Sequence, residues 1–193
     1  MNDFIFHKLP EQLGEIEIAT NESGFSMPSE RKTGSLLKTL ASSKPGGKFL
    51  ELGTGTGLST AWLLSGMCAN SSLLSVDNDE APQKIAVRYL DSDPRVTFLC
   101  EDGFKVIQHQ KAASFDLIFA DAWPGKYFLL DETLELLKPG GFYVIDDMLP
   151  QSNWPEGHDQ KAAQLLEILH QKENFSVCQL EWATGVVICT RLS

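Results

Sequence analysis

The chain has 193 residues, 42% of them hydrophobic and 22% charged, which fits one soluble globular domain with a single substantial core. Its formal net charge of −10 disfavours nucleic acid as a partner, because phosphate contacts supply most of the affinity of proteins that bind it. No apolar run approaches membrane-spanning length, and the N-terminus lacks the basic start and long apolar core of a signal peptide, so a cytoplasmic location and no membrane partner are expected.

Residues 1–28 carry little periodicity and read as an irregular lead-in to a single domain spanning 1–193. From Ser29 onward Leu36, Leu37, Leu40 and Ala41 recur at helical spacing, and Lys44-Pro45-Gly46-Gly47 ends that helix. Apolar runs then alternate with helical patterns. Lys48–Leu52 reads as a strand, 59–68 as a helix and 73–76 as a strand. A helix opens at Pro82 with Ile85, Ala86, Tyr89 and Leu90 inward, Val96–Cys100 is a strand, and a short helix lies near 104–108. Phe115–Ala120 is a strand, Tyr127, Leu130, Leu134 and Leu137 mark a helix face, and Lys138-Pro139-Gly140-Gly141 reads as the turn ending that helix. A strand at 142–145 precedes a loop rich in Pro, Asn and Gly, then a helix with Ala162, Leu165, Leu166 and Leu169 on one side. Phe175–Leu180 and 186–190 are close enough in sequence to be antiparallel neighbours. Five strand–helix units of this kind predict an α/β fold, a largely parallel doubly wound sheet with helices on both faces.

The four cysteines, Cys68, Cys100, Cys178 and Cys189, lack C-x-x-C spacing, and apolar settings around most of them predict buried free thiols.

The segment Phe49-Leu50-Glu51-Leu52-Gly53-Thr54-Gly55-Thr56-Gly57-Leu58 carries the strongest signal. A short strand ends in an acid, three glycines follow at alternate positions, and an apolar helix begins. With 15 glycines in 193 residues, a G-x-G-x-G array arises by chance roughly 0.1 times in such a chain. Glycines so placed let the backbone turn sharply and present its N–H groups to a nucleotide-like ligand; a plain strand-to-helix turn is the simpler alternative. Each of the first five strands also ends in an acid: Glu51, Asp77, Asp102, Asp121, and the pair Asp146 and Asp147. In an open parallel sheet, ligands bind beyond the carboxyl ends of the strands, and an acid one strand after the glycine loop is placed to accept hydrogen bonds from ribose hydroxyls.

These motifs resemble the class I S-adenosylmethionine-dependent methyltransferases, in the small-molecule O-methyltransferase branch of the catechol and caffeoyl-CoA O-methyltransferases. The resemblance covers 29–147 and rests on Glu51-Leu52-Gly53-Thr54-Gly55-Thr56-Gly57, Asp77, Glu101-Asp102-Gly103, the run from Phe115 to Asp121 and the run from Leu136 to Asp147. It implies a Rossmann-like seven-stranded sheet with an antiparallel last strand, and transfer of a methyl group to a hydroxyl of a small, aromatic acceptor. It further implies that Glu51, Gly53, Thr54, Gly55 and Gly57 hold the methionine part of the cofactor, Asp77 and Asn78 the ribose, and Asp102 and Gly103 the adenine, with Asp121 beside them. In the metal-dependent members three side chains hold a divalent cation such as Mg²⁺, and the matching positions are Asp121, Asp146 and Asp147. Two positions depart from the pattern: Asp147 stands where an Asn is usual, and Pro124 where the catechol enzymes have a general-base Lys, Lys126 following two residues later.

His158, at the mouth implied by the fifth strand, is a candidate base alongside Lys126 and Asp121, or a solvated loop histidine. Trp123 and Trp154 suit the wall of an aromatic acceptor site or ordinary packing, and Met27 suits a cover over the cofactor. A nicotinamide dehydrogenase is disfavoured, since its loops favour G-x-G-x-x-G and here Gly57 comes one position early. Aminopropyl transfer, metal-independent methylation of another small nucleophile, and a catalytically silent cofactor-binding subunit share the fold and stay open. A homodimer is compatible with all of them.

Overall fold

Phe49, Leu50 and Leu52 of β1 (Lys48–Leu52) are all buried, as suits a strand covered on both faces. The protein, described by a computed structural model at residues 8–151 and 154–193, places this strand in the interior of one sheet. It pairs in parallel with β2 (Ser72–Asp77) and β4 (Phe115–Ala120), so that Leu50 lies beside Leu74 and Ile118. β3 (Val96–Cys100) pairs in parallel with β2, and β5 (Leu137–Ile145) with β4. β7 (Val186–Arg191) is antiparallel to both β5 and β6 (Phe175–Leu180). The seven strands lie in the order β3-β2-β1-β4-β5-β7-β6, and the order reverses between β1 and β4.

Alternate residues feed two cores. On one face Phe49, Leu117 and Phe119 meet Leu13 of α1 (Leu13–Ser23), Leu37 of α2 (Arg31–Ser42), Trp62 of α3 (Leu58–Gly66) and Leu90 of α4 (Glu80–Leu90). On the other Leu50, Ile118 and Ile145 meet Ile107 of α5 (Gly103–His109), Leu134 of α6 (Leu130–Glu135) and Leu165 of α7 (His158–His170). The doubly wound α/β architecture expected from the sequence is therefore the one observed. Among the described residues no helix is long and apolar enough to cross a membrane.

Four local expectations are corrected. The lead-in contains α1, whose inward stripe is only Leu13, Ile16 and Thr20, while Ile18 is 61% exposed. A stripe with one polar member and an outward isoleucine hides the helical period; contacts with α3 and α4 hold the helix in place. The helix expected across Tyr127 to Leu137 shrinks to α6, because Leu129 takes a left-handed backbone and Leu137 already belongs to β5. Lys138-Pro139-Gly140-Gly141 lies inside β5 as a bulge: Phe115 and Leu117 of β4 pair with Leu137 and Phe142, so the residues between loop out where Pro lacks an N–H for the ladder. Of the cysteines only Cys189 is buried; Cys100 and Cys178 sit on edge strands and Cys68 follows α3, where one side stays uncovered.

Beneath the loop that follows β1 lies a buried polar network. The carboxylate oxygen Oε2 of Glu51, a fully buried residue, accepts from Thr60 Oγ1 at 2.6 Å and Ser75 Oγ at 2.5 Å. Ser75 Oγ is also 2.7 Å from Thr54 Oγ1, to which Gln83 Nε2 donates at 3.1 Å. The network thus ties β1, β2, α3 and α4 to the loop. Burial raises the Glu51 carboxyl from 4.5 to about 7, against the nearby hydroxyls of Ser59, Ser75 and Thr60, and its Oε1 finds no partner.

The folded chain keeps the Glu51 proton to about pH 7, whereas the unfolded chain releases it near 4.5. Between those limits the folded state binds more protons, so this group's contribution to stability falls as pH rises, by roughly 3 kcal/mol in all. Glu51→Gln removes the titration. Urea unfolding at pH 4.5 and pH 8 should show the variant gaining about that amount relative to the parent at the higher pH; an equal difference at both pH values would refute the assignment.

Candidate active site

The carboxyl ends of β1, β2, β4 and β5 open onto a cavity of about 940 Å³, near the upper end of the roughly 300–1,000 Å³ typical of ligand sites. One part of its wall is the loop after β1. Gly53 has φ 105°, and a Cβ there would stand 2.7 Å from the main-chain oxygen of Asp121, so the position admits no side chain without displacing β4's exit. Gly53, Thr54 and Gly55 line the cavity. Gly57 does not: it starts α3, and a Cβ on it would meet Ala86 Cβ at 2.6 Å, so it packs the loop against α4. Glu51 is likewise off the cavity wall and lies buried beneath the loop.

Asp77, at the end of β2, accepts from Gly55 N–H at 2.7 Å and Asp79 N–H at 2.9 Å, one bond on each carboxylate oxygen. It therefore holds the loop while lining the cavity with Asn78. Asp102 and Gly103 line the wall further along; Asp102 also caps α5 by accepting from Phe104 N–H at 3.0 Å. Thr56 adds a tie that the sequence does not reveal, accepting from Thr20 Oγ1 of α1 at 2.8 Å.

The opposite part of the cavity gathers Asp121, Lys126, Asp146, Asp147 and His158. β4 and β5 end side by side, with Ala120 paired to Ile145, which brings the acids that follow into one place. Asp146 Oδ1 accepts from Thr184 Oγ1 at 2.7 Å and from the Asp147 N–H at 2.9 Å. Asp121 Oδ2 accepts from Ser29 Oγ at 3.3 Å. Burial, then the charges of Asp146 and Asp147, push the Asp121 carboxyl well above its ordinary range, opposed by Lys126 and Ser29. Burial also raises Asp146, against the Thr184 hydrogen bond.

Lys126 is 5% exposed and its Nζ donates to the Asp146 carbonyl at 2.5 Å. Although it follows the position read from the sequence by two residues, a turn over 123–128 swings it inward: Gly125 N–H donates to Phe128 O at 2.7 Å and Tyr143 Oη donates to Gly125 O at 2.6 Å. Burial lowers the Lys126 ammonium, and the carboxylates of Asp121, Asp147 and Asp146 oppose that.

His158 is 9% exposed at the start of α7. Its ring stands 4.5 Å from that of Trp154 between centroids, its Nε2 is 3.1 Å from Tyr127 Oη, and its Nδ1 has no partner. Burial, then Lys126 and Lys161, depress its pKa below 6.5. Trp123 stacks on Phe128 with 6.0 Å between centroids, and both tryptophans line the cavity. Met27, 70% exposed, stands at the rim. Ser29, Tyr127 and Thr184 are site residues the sequence did not mark, since each enters only through a partner more than 30 positions away.

The resemblance places a divalent cation at Asp121, Asp146 and Asp147. Among the described residues no three His, Cys, Asp or Glu side chains are placed to hold a metal ion. Asp146 is turned onto Thr184 and the main chain, and the Lys126 ammonium reaches the same corner of the cavity, where it is bound to the Asp146 carbonyl. The residues present do not fit that ion.

Residues 50–148, just over half of the chain, match the family described as a methyltransferase domain. A Mycolicibacterium vanbaalenii protein provisionally named an O-methyltransferase is 32% identical over 117 residues, 58% of this chain and 52% of that protein. The chain thus spans about half the length of the curated relatives it matches. An O-methyltransferase from Bacillus cereus solved with S-adenosylhomocysteine superposes with a TM-score of 0.81 at 20% identity, covering 98% of this chain and 94% of that one. A Streptomyces achromogenes O-methyltransferase involved in tomaymycin synthesis, solved with S-adenosylmethionine, gives 0.79 at 20%, covering 98% and 93%. At such identities the likeness establishes a common fold.

Asp147 has φ 55°, a left-handed backbone that a non-glycine residue adopts at a cost, and its charge crowds Asp146 and Asp121. Asp147→Gly should therefore raise stability by roughly 1 kcal/mol in urea unfolding at pH 7. A loss of stability would show that the carboxylate, not the strain, dominates at this position.

Proposed function

We propose that this chain, which belongs to the methyltransferase domain family, transfers a methyl group from S-adenosylmethionine to a hydroxyl of a small aromatic acceptor. The observation that carries the reading is one cavity joining the glycine-loop backbone and Asp77 on one side to Asp121, Lys126 and His158 on the other. Names of relatives and the ligands of the two superposed enzymes support it.

The loop backbone at Gly53 to Gly55, with Asp77, Asn78, Asp102 and Gly103, would hold the cofactor. Each oxygen of Asp77 uses one lone pair on a main-chain N–H, Oδ2 on Gly55 of the loop and Oδ1 on Asp79, and keeps another for a ribose hydroxyl. When bound, S-adenosylmethionine supplies a methyl carbon on a positive sulfur, open to attack by an oxygen lone pair. Trp123, Trp154 and Tyr127 offer flat faces for an aromatic acceptor. The acceptor hydroxyl must lose a proton, and His158 Nδ1 is a buried nitrogen with nothing else to bind. If Nε2 carries its hydrogen toward Tyr127 Oη, Nδ1 is the bare acceptor; Tyr127, raised to about 12 by burial, stays protonated as its partner. Asp121 shapes the field around the reacting oxygen.

Titration calorimetry should give saturable binding of S-adenosylhomocysteine and none of NAD. Asp77→Ala, which removes acceptors for two hydroxyls and loosens the loop, should weaken the former by roughly ten- to a hundred-fold. NAD binding without a response to S-adenosylhomocysteine would reject the cofactor.

The base must be neutral to act, and the His158 pKa lies below 6.5, so kcat for a phenolic acceptor should rise with pH through an acidic midpoint and level off by neutrality. His158→Gln should abolish that limb and lower kcat by about 100-fold while leaving S-adenosylhomocysteine affinity unchanged. An unaltered pH profile would move the role to Asp121.

A further inference from the structure

The charge of the acceptor half is asymmetric. Three carboxylates, Asp121, Asp146 and Asp147, share it with one buried ammonium, Lys126. Like charges so close are unfavourable unless a cation stands among them. The chain brings one cation into the same corner, held by the main chain and a ring and, among the described residues, not paired directly with an acid, and its place is built. The 123–128 turn is pinned through Gly125 to Tyr143, Lys126 Nζ donates to the Asp146 carbonyl, and the same Nζ lies 5.3 Å from the centre of the Tyr127 ring. A lysine fixed in this way does not swing aside to admit an ion without losing both contacts and the burial of its stem.

The carboxylates tell the same story. A hard dication needs oxygens converging at about 2.0–2.6 Å from one point. Asp146 instead spends Oδ1 on Thr184 and the Asp147 N–H, and Asp121 directs Oδ2 to Ser29. Among the described residues no three side chains of metal-binding type are gathered for an ion. A dication approaching these acids also meets the positive charge of Lys126.

We propose that the Lys126 ammonium is the resident cation of the acceptor site, standing in for the divalent ion that related O-methyltransferases are expected to use, so that this chain works without one. The inference rests on the methyltransferase reading for its functional sense. Lys126 offsets the charge of Asp121 and Asp147 and presents its remaining N–H groups toward the acceptor oxygen. It is a positioning and charge-balancing group here, and the acceptor's proton goes to His158.

Manganese alone is the probe, followed by electron paramagnetic resonance of free Mn²⁺ on the full chain, with S-adenosylhomocysteine calorimetry on the same sample. The parent should show no saturable Mn²⁺ uptake up to about 1 mM, the weak end of carboxylate sites. Lys126→Met, which leaves the acids and removes the charge, should take up Mn²⁺ at one site, and its melting temperature should rise with Mn²⁺ while that of the parent stays constant. If Lys126→Met does not fold, Lys126→Gln serves, and the titration of the parent stands without either. Saturable uptake by the parent that Asp146→Asn abolishes would overturn the inference, as would a folded Lys126 variant that gains no affinity. Loss of S-adenosylhomocysteine binding alone would strike the methyltransferase reading and leave the cation result readable.

Discussion

The site depends on a carboxyl group that never reaches it. Glu51 lies fully buried at the end of β1, and the hydroxyls of Thr60 and Ser75 close on one of its oxygens. An unpaired polar group at that depth is costly, so β1, β2 and α3 must stay in register to keep at least this oxygen bonded. Thr54 and Gln83 extend the same network to the loop and α4. The glycine loop can take its left-handed turns because this buried frame holds both of its ends. Asp77 then ties the loop from above through the Gly55 N–H. A loop held from below and above presents a fixed backbone to whatever enters the cavity.

A second constraint is charge. β4 and β5 are neighbours and both end in acids, so parallel pairing forces Asp121, Asp146 and Asp147 together. The fold then manages the repulsion locally. Thr184 comes from the β6–β7 hairpin and Ser29 from the segment before α2, and each hydrogen-bonds one acid. Lys126 enters with the positive charge. The outcome is a set of mutually perturbed groups, Asp121 and Asp146 pushed up and Lys126 and His158 pushed down, each mainly by burial. Perturbed groups gathered in a cleft mark a functional site more often than a structural one. The left-handed backbone at Asp147 belongs to the same pattern, with local strain kept where the chemistry is placed.

Much of the scaffold was legible in the chain. Runs such as Lys48–Leu52, Val96–Cys100, Phe115–Ala120 and Phe175–Leu180 coincide with strands to the residue, because short runs rich in β-branched and aromatic residues between turn signals favour the extended chain whether the strand is central or at an edge. The elements that were misread obey weaker local rules. α1 carries two apolar residues and a threonine on its inner face, and the Pro-Gly stretch before Phe142 is a bulge whose pairing depends on a strand twenty residues away. Cys100 and Cys178 look buried by their neighbours, yet edge position is a property of the sheet order.

The sequence by itself determined the alternation of strands and helices, the glycine loop and the acids at the strand ends, since periodicity, backbone freedom and charge are properties of neighbouring residues. Only the tertiary structure decided what those acids do. Glu51 turned under the loop and away from the cavity, and Lys126, out of register by two residues, was carried inward by the turn that Tyr143 anchors. His158 Nδ1 was left bare because Trp154 and Tyr127 cover the ring and supply a partner only at Nε2. Each of these outcomes is set by contacts between residues distant in the chain, where burial and unsatisfied hydrogen bonds decide which way a side chain points.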